Sequence, residues 1–549
     1  SDSVALVKAV NTAQANYVVN IDGLSNIEFD NLQMVSRPAG SANTAHVMVL
    51  QNTGNVTVRN SVLRVKGSVH HQNGSCIMLQ GNVRKLQLVS NVLDSGYYSL
   101  SFANNTNGYE DFSIQGNTCT NFNLASINLK GLKGLNINKN VIRSEYRGKL
   151  TGIILENIDS IIRVQKNKIY LLGALTGANS VIDGFGKRGV ELKSVSGNNQ
   201  QCALVTNNMI SASSNGVSGQ DPVGIFIDGT SSYINVYYNT VRVYAGASDV
   251  TKSKALFTGA QTSHLQVMNN ILSNFSGAYA YYITSSNNIT SSDYNDYYAA
   301  GEKFAYWGGA DRADLSELQV AGTRDGSSLD EEPYFVANDD LHLSMTNFVS
   351  KGQYNTDVID DIDDEIRSQM PSPTLGADEM RRLNHNMSVV RIISPTMPVD
   401  TNFPGDAMPP NIEGDSVLVK AVFYNNGNST ETNIRWHAYV VGHEGVTTSV
   451  VRNLGTFYIG QLKIDSVWMP TTLGIIGVQT VMVEFVDFVD DSIPDNSMQQ
   501  DFYLAPAYNL EAVRMTVPSG CSLQHSPIAI TVKNAGFKEF PAGTSFEIG

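Results

Sequence analysis

Charge is what this sequence has least of. Asp, Glu, Lys and Arg make up 16% of its 549 residues, against roughly 25% in ordinary soluble domains. The balance is acidic, 51 against 37, for a net charge of −14 at pH 7. With no basic stripe to neutralise phosphates, nucleic-acid binding is excluded. The same deficit argues against an undirected grip on polyanionic glycans. No apolar run approaches the roughly 18 residues of a transmembrane helix. The four cysteines, 76, 119, 202 and 521, fit no metal-ligand spacing. Cys119 follows Asn117 in an inward slot and reads as a buried thiol rather than half of a disulfide. There is neither a signal peptide nor an initiating Met, as in a processed or excised fragment. The last residues, TSFEIG, halt inside an apolar alternation, so the polypeptide is expected to continue.

What is abundant is a repeat. In LNINKNVI, Leu135 and Ile137 alternate, Asn140 follows three places later, and Ile142 two places after that. The same signature surrounds Asn91, Asn117, Asn167, Asn239 and Asn270, with a weaker copy at Asn208 and a degraded one at Asn295. Asn31 and Asn60 carry a version one residue shorter. Intervals run from 23 residues (Asn117 to Asn140) to 41 (Asn167 to Asn208), the range of repeat architectures. Each unit reads as a strand, a corner and a second strand, since alternation puts apolar side chains on one face. Asn suits the corner because it visits the left-handed region cheaply, and stacked asparagines can also pair as a ladder. No unit can bury its apolar face alone, so each needs a neighbour. Helical solenoids are excluded by the Asn, Ser, Gly, Val, Ile and Tyr of residues 55–295, which favour strands and turns. The predicted fold is all-β: a right-handed parallel β-helix solenoid with an asparagine ladder at 91, 117, 140, 167, 208, 239 and 270. About eleven coils at roughly 4.8 Å each give a length on the order of 50 Å.

Taken in order, residues 1–380 form the β-helix with a closing tail. Within it, Asp314–Val320 reads as a short helix and VIDGFGKRGVELKS, in the longest interval, as a projecting loop. Residues 381–411 are Pro-rich and form a linker or the first strand of the next module. Residues 412–505 change character: Val417, Val419, Ala421 and Phe423 alternate, then Ile434, Trp436, Ala438 and Val440, as in a β-sandwich. Residues 506–549 begin a second, truncated copy, where SGCSLQHSPIAITVKNAGF repeats the strand and Asn-x-Gly turn of GDSVLVKAVFYNNGN.

SDYNDYY, DEEPYFVANDDLHL and DDIDDEIR followed by LGADE resemble the terminal coils of large secreted β-helix proteins of the pectate-lyase-like superfamily. The modules after residue 412 resemble Ig-like adhesion modules found beside β-helices in surface proteins exported by the type IX secretion system. The resemblance implies a secreted, cell-surface protein: an adhesin or structural scaffold whose β-helix is a rigid spacer or a glycan- or ligand-binding platform. It also implies passage through the type IX translocon with its shuttle protein, and a C-terminal sorting domain. Its partner is expected to be a surface glycan or protein.

Catalysis is the competing reading, as a polysaccharide lyase or glycoside hydrolase acting on acidic glycans. A hydrolase needs two carboxylates across the scissile bond. The NTD, paired Asp, GHG and RIK of β-helix polygalacturonases are missing from the coils; the only NTD, 355–357, lies in the tail, and GHEG at 442–445 in the sandwich. A lyase needs a base and a cation, for which Lys187, Arg188 and Glu191 are the candidates, against a solvated loop tip. Lys130, Lys133 and Arg143 read as a basic patch or as scattered charge. No cofactor is expected, with calcium as the exception to test: Asp487, Asp490, Asp491 and Asp495 crowd one sandwich loop, and Asp360, Asp361, Asp363 and Asp364 crowd the tail, though without EF-hand spacing. Tyr237, Tyr238, Tyr281 and Tyr282, with Tyr233, Tyr244 and Tyr279, suggest an exposed strip on which sugar rings could stack, or simply residues that suit strands.

Overall fold

The computed structural model describes residues 5–11, 16–38, 45–66, 74–102, 109–146, 148–172, 185–214, 221–245, 252–397, 411–442, 445–472, 475–516 and 529–545. The chain is all-β and divides into two compact units: Ser1–Leu343 with Phe348–Met380, and Ser344–Asn347 with Arg381–Gly549.

Alternating apolar residues decide the first unit. Each repeat contributes one long strand or two shorter ones to a sheet of 19 strands and, past the asparagine corner, one to a sheet of 11. Thus Leu132–Asn138 lies in the larger sheet and Val141–Ser144 in the smaller. Successive repeats pair in parallel at matching positions. Leu88, Ile114, Ile137, Val164, Val205, Val236 and Val267 form one file across the larger sheet. Leu63, Leu93, Cys119, Ile142, Ile169, Ile210, Val241, Leu272 and Tyr297 form another across the smaller. Both files lie in one continuous buried core. Long parallel sheets buried on their inner faces, joined at a recurring corner, are compatible with a solenoid.

The corner differs from its expected chemistry. The left-handed residue is the one before the asparagine: Ser90, Gly116, Lys139, Lys166, Asn207, Tyr238, Asn269 and Tyr294 all have φ between 53° and 65°. Asn91 through Asn295 are instead buried and joined in a file. Each after Asn91 accepts at Oδ1 from the backbone N–H and the Nδ2 of the asparagine one repeat earlier, as Asn140 does from Asn117 at 2.9 and 3.0 Å. Each also donates Nδ2 to a strand carbonyl of an earlier repeat, Ile114 O for Asn140 at 2.8 Å. The chain of bonds runs through 91, 117, 140, 167, 208, 239, 270 and 295. Asn295, degraded in its flanking pattern, is a full member. Asn31 and Asn60, one residue short, occupy the left-handed slot themselves, with φ of 55° and 49°. There Ser61 takes the ladder position and donates its N–H to Asn91 Oδ1 at 3.0 Å.

Beyond the last repeat, Leu315–Gly322 is a helix whose Asp314 cap accepts from Glu317 N, while Glu317 reaches back to Ala313 N, a reciprocal cap. The tail then runs back along the corners. Gln353 N donates to Asn269 Oδ1, Asn207 Nδ2 to Asp360 O, and Ala377 N to Thr240 Oγ1, at 2.7, 2.7 and 2.8 Å.

In the second unit, sheets of three and five strands turn their apolar faces into one core around Trp436. Val417, Val419, Ala421 and Phe423 face inward from Ser416–Asn425, and Ile434, Trp436, Ala438 and Val440 from Glu431–Gly442. Met387–Ser394, inside the Pro-rich stretch, is a strand antiparallel to Ser416–Asn425, so there the first-strand reading applies and not the linker. Leu510–Thr516 pairs antiparallel with Ala529–Asn534.

Candidate functional site

Lys187, Arg188 and Glu191 are on a strand, not a projecting loop. Phe185–Ser196 pairs on both sides within the large sheet, and residues 173–184 lie outside the described residues. Gly189 explains the local path: a Cβ there would sit 2.2 Å from Ile210 Cγ2 and 2.6 Å from Gly224 O. With Val190, Leu192 and Val195 directed into the core, Arg188 and Glu191 take the opposite face. The three candidates are 0, 2 and 4% exposed, which corrects the solvated-tip reading. Arg188 Nη1 meets Glu191 Oε2 at 2.6 Å and its guanidinium lies 4.1 Å over the Phe226 ring, while Lys193 takes Glu191 Oε1 at 2.9 Å. Lys187 Nζ is 3.5 Å from Leu171 O, and burial brings its ammonium down to about 7. Arg188 and Glu191 thus pair with each other while Lys187 reaches Leu171 O, all three shielded from solvent.

Tyr237, Tyr238, Tyr281 and Tyr282 do not form an exposed strip. Tyr281 lies wholly in the core against Tyr297, and Tyr238 beneath the Arg367 guanidinium at 4.0 Å. Tyr237 is buried, its hydroxyl donating to Gln266 Oε1 at 2.7 Å. Only Tyr282 of the four faces outward, in a file of rings that sequence reasoning missed. Phe226, Phe257, Tyr282 and Tyr306 stack at 4.8, 5.5 and 4.4 Å. These rings offer their faces to each other, so a sugar, which needs a free face, finds none on Phe257 or Tyr282.

The arrangement with most chemistry lies where the tail crosses the corners. Lys166, only 7% exposed, holds Asp360 Oδ2 and Asp364 Oδ1 at 2.8 Å each. Lys139 holds the other oxygen of Asp364 at 2.5 Å, and Lys168 holds Asp363 at 3.1 Å. The two lysines bring the Asp364 carboxyl down to about 2. The tail aspartates are therefore engaged by lysines rather than collected as an all-oxygen cage; Asp361 accepts three backbone N–H groups, from Asp363, Glu365 and Glu379. Beside these pairs opens a polar cleft of about 240 Å³, lined among others by Asn138, Gln165, Thr206 and Asn207. Asn138 Oδ1, buried there, has no hydrogen-bond partner. Asp357, of the displaced NTD, also lines this cleft.

Several of the remaining charged candidates are paired or bonded to backbone. Lys130 meets Glu156 at 2.5 Å, and Arg143 meets Asp339 and Glu145 at 2.7 and 3.1 Å. In the second unit Asp487 pairs with Arg435, Asp490 Oδ2 accepts from Met387 N, and Asp491 Oδ2 accepts from His385 N. Burial raises Asp495 to about 6. Among the described residues, ligand atoms of three His, Cys, Asp or Glu side chains converge at one place only, His342, Asp363 and Asp378, and none of these four takes part.

Fold and site together define an all-β protein with long parallel sheets, carrying a polar, ion-paired cleft under a returning tail, and a second β unit. No helix among the described residues is long and apolar enough to cross a membrane. No protein-family model matches the chain, and no curated protein matches it.

Proposed function

We propose that this protein is a secreted cell-surface adhesin or scaffold. Its first unit is a right-handed parallel β-helix serving as a stiff spacer and ligand platform, and its second is built from Ig-like modules. Export by the type IX translocon with its shuttle protein belongs to the same proposal. One observation carries the reading: the unbroken file of buried, mutually bonded asparagines from Asn91 to Asn295. Such a file locks eight repeats in register, as a spacer requires. The polar cleft beside Lys166 supplies a place for one small hydroxyl-rich group, such as a single sugar residue of a surface glycan.

The test is a glycan and protein array probed with the 549-residue chain, run beside an assay for unsaturated uronate on acidic glycans. Saturable binding without turnover is the expected result. Uronate release that disappears in Lys187→Ala would replace this reading with a lyase. One observation favours that second reading: Lys187 sits at about 7, where a general base is useful. Against it stand the full burial of Lys187 and the engagement of Arg188 with Glu191.

A further inference from the structure

The strand Asp340–Leu343 and the tail meet at a constellation that the spacer reading does not use. His342, Asp363 and Asp378 come from three separate stretches, yet one ligand atom from each lies within 4.8 Å of the others. All three are anchored by their backbone surroundings. His342 stands between the buried Leu341 and Leu343. Asp363 N donates to Asp361 Oδ1 at 2.9 Å. Asp378 lies between Ala377 N, bonded to Thr240 Oγ1, and Glu379 N, bonded to Asp361 Oδ2. The imidazole is oriented from behind: Nδ1 faces Asp340 Oδ1, outside the trio, and Nε2 points at Asp363 Oδ2, 2.7 Å away. A histidine ligand whose far nitrogen is held by a carboxylate is how proteins fix an imidazole for a metal. The carboxylates of Asp340, Asp361, Asp363 and Asp378 surround this point, while the fixed cations beside it are Lys168, on Asp363, and Arg367.

We propose that His342 Nε2, Asp363 and Asp378 bind one divalent ion of the zinc type, with Asp340 as the positioning residue of the imidazole. An imidazole with two carboxylates suits zinc, whereas calcium takes oxygen ligands throughout. The ion replaces the proton between Nε2 and Asp363, and Lys168 competes with it for the same carboxylate. Bound there, it clips the tail to the strand that precedes it.

The test titrates zinc chloride into the EDTA-stripped 549-residue chain by calorimetry, with cobalt absorption as a second reporter. One site per chain is expected. His342→Ala should weaken binding at least tenfold, Asp340→Asn by about 10- to 100-fold, and Lys168→Met should tighten it. Circular dichroism checks each variant's fold, and if His342→Ala does not fold, Asp378→Asn takes its place with the same expectation. Absence of saturable one-to-one binding to the parent chain, or binding unchanged in the folded ligand variant, overturns the proposal.

Discussion

A primary amide buried in a file can satisfy its neighbours only if every place in the file holds one. Asn140 accepts from Asn117 and donates to both Asn167 and Ile114 O, so truncation orphans groups on both sides. Asn140→Ala is expected to cost about 2–3 kcal/mol by chemical denaturation, the usual penalty for stranded buried polar groups. Asn60 has another duty. It holds the left-handed φ and bonds Asp30 at the surface, so Asn60→Gly should change stability by no more than ~0.5 kcal/mol, while Asn140→Gly should cost as much as the alanine. Equal losses at both sites would refute this division of roles. At Lys187 the sign follows from burial. Its folded pKa, about 7, is below the usual lysine value, so between pH 7 and the unfolded value the unfolded chain binds more protons and stability rises with pH. Melting curves across that window should show the rise in the parent chain and lose it in Lys187→Met.

The tail is held by charge where the strands are held by apolar files. Asp364 has its pKa lowered to about 2 by Lys139 and Lys166, so its contribution is present above the unfolded carboxylate value, near 3.8, and disappears as pH falls toward 2. Asp364 is about half exposed, so salt should weaken the effect as well. Limited proteolysis is expected to cut between residues 350 and 380 faster at pH 3 than at pH 6, and a Lys139→Ala, Lys166→Ala double variant should cut fast at both. A tail equally resistant in all these states would show that Arg367 and the apolar contacts hold it alone. How far each element could be foreseen follows the same division. Period-two alternation with a fixed asparagine offset reports strands, and the inward files obey it residue by residue. The offset sets Asn60, one residue short, apart from Asn91, but spacing alone does not say that the first bends the chain while the second bonds the file. KRGVE reads as part of a loop because it falls in the longest interval, the 41 residues from Asn167 to Asn208. A strand's outer face tolerates charged residues once they pair with each other, and only Gly189, tight against Ile210, betrays the packing. Adjacent Tyr281 and Tyr282 point to opposite faces, one in the core and one outward, which side-chain type alone does not reveal. The His342 trio draws on three stretches that spacing does not link, and the only sign of it in the sequence is the density of aspartates flanking a lone histidine.

At the scale of the whole molecule, two cores with different construction ought to fail separately. The core of the first unit is a continuous file structure in which each repeat supports the next. The core of the second is concentrated on a few large side chains, with Trp436 wholly buried, tilted against Phe423 at 5.1 Å and donating Nε1–H to Asp465 Oδ2 at 2.9 Å. Removing that indole leaves a cavity and takes a donor from Asp465, so Trp436→Ala should cost about 3–5 kcal/mol of the second unit's stability. Calorimetry of the 549-residue chain is then expected to show two transitions, one lowered by Trp436→Ala and untouched by Asn140→Ala, the other the reverse. If either substitution moves both transitions together, the units fold as one cooperative body and the division of labour between a register-locked file and a packed sandwich is wrong.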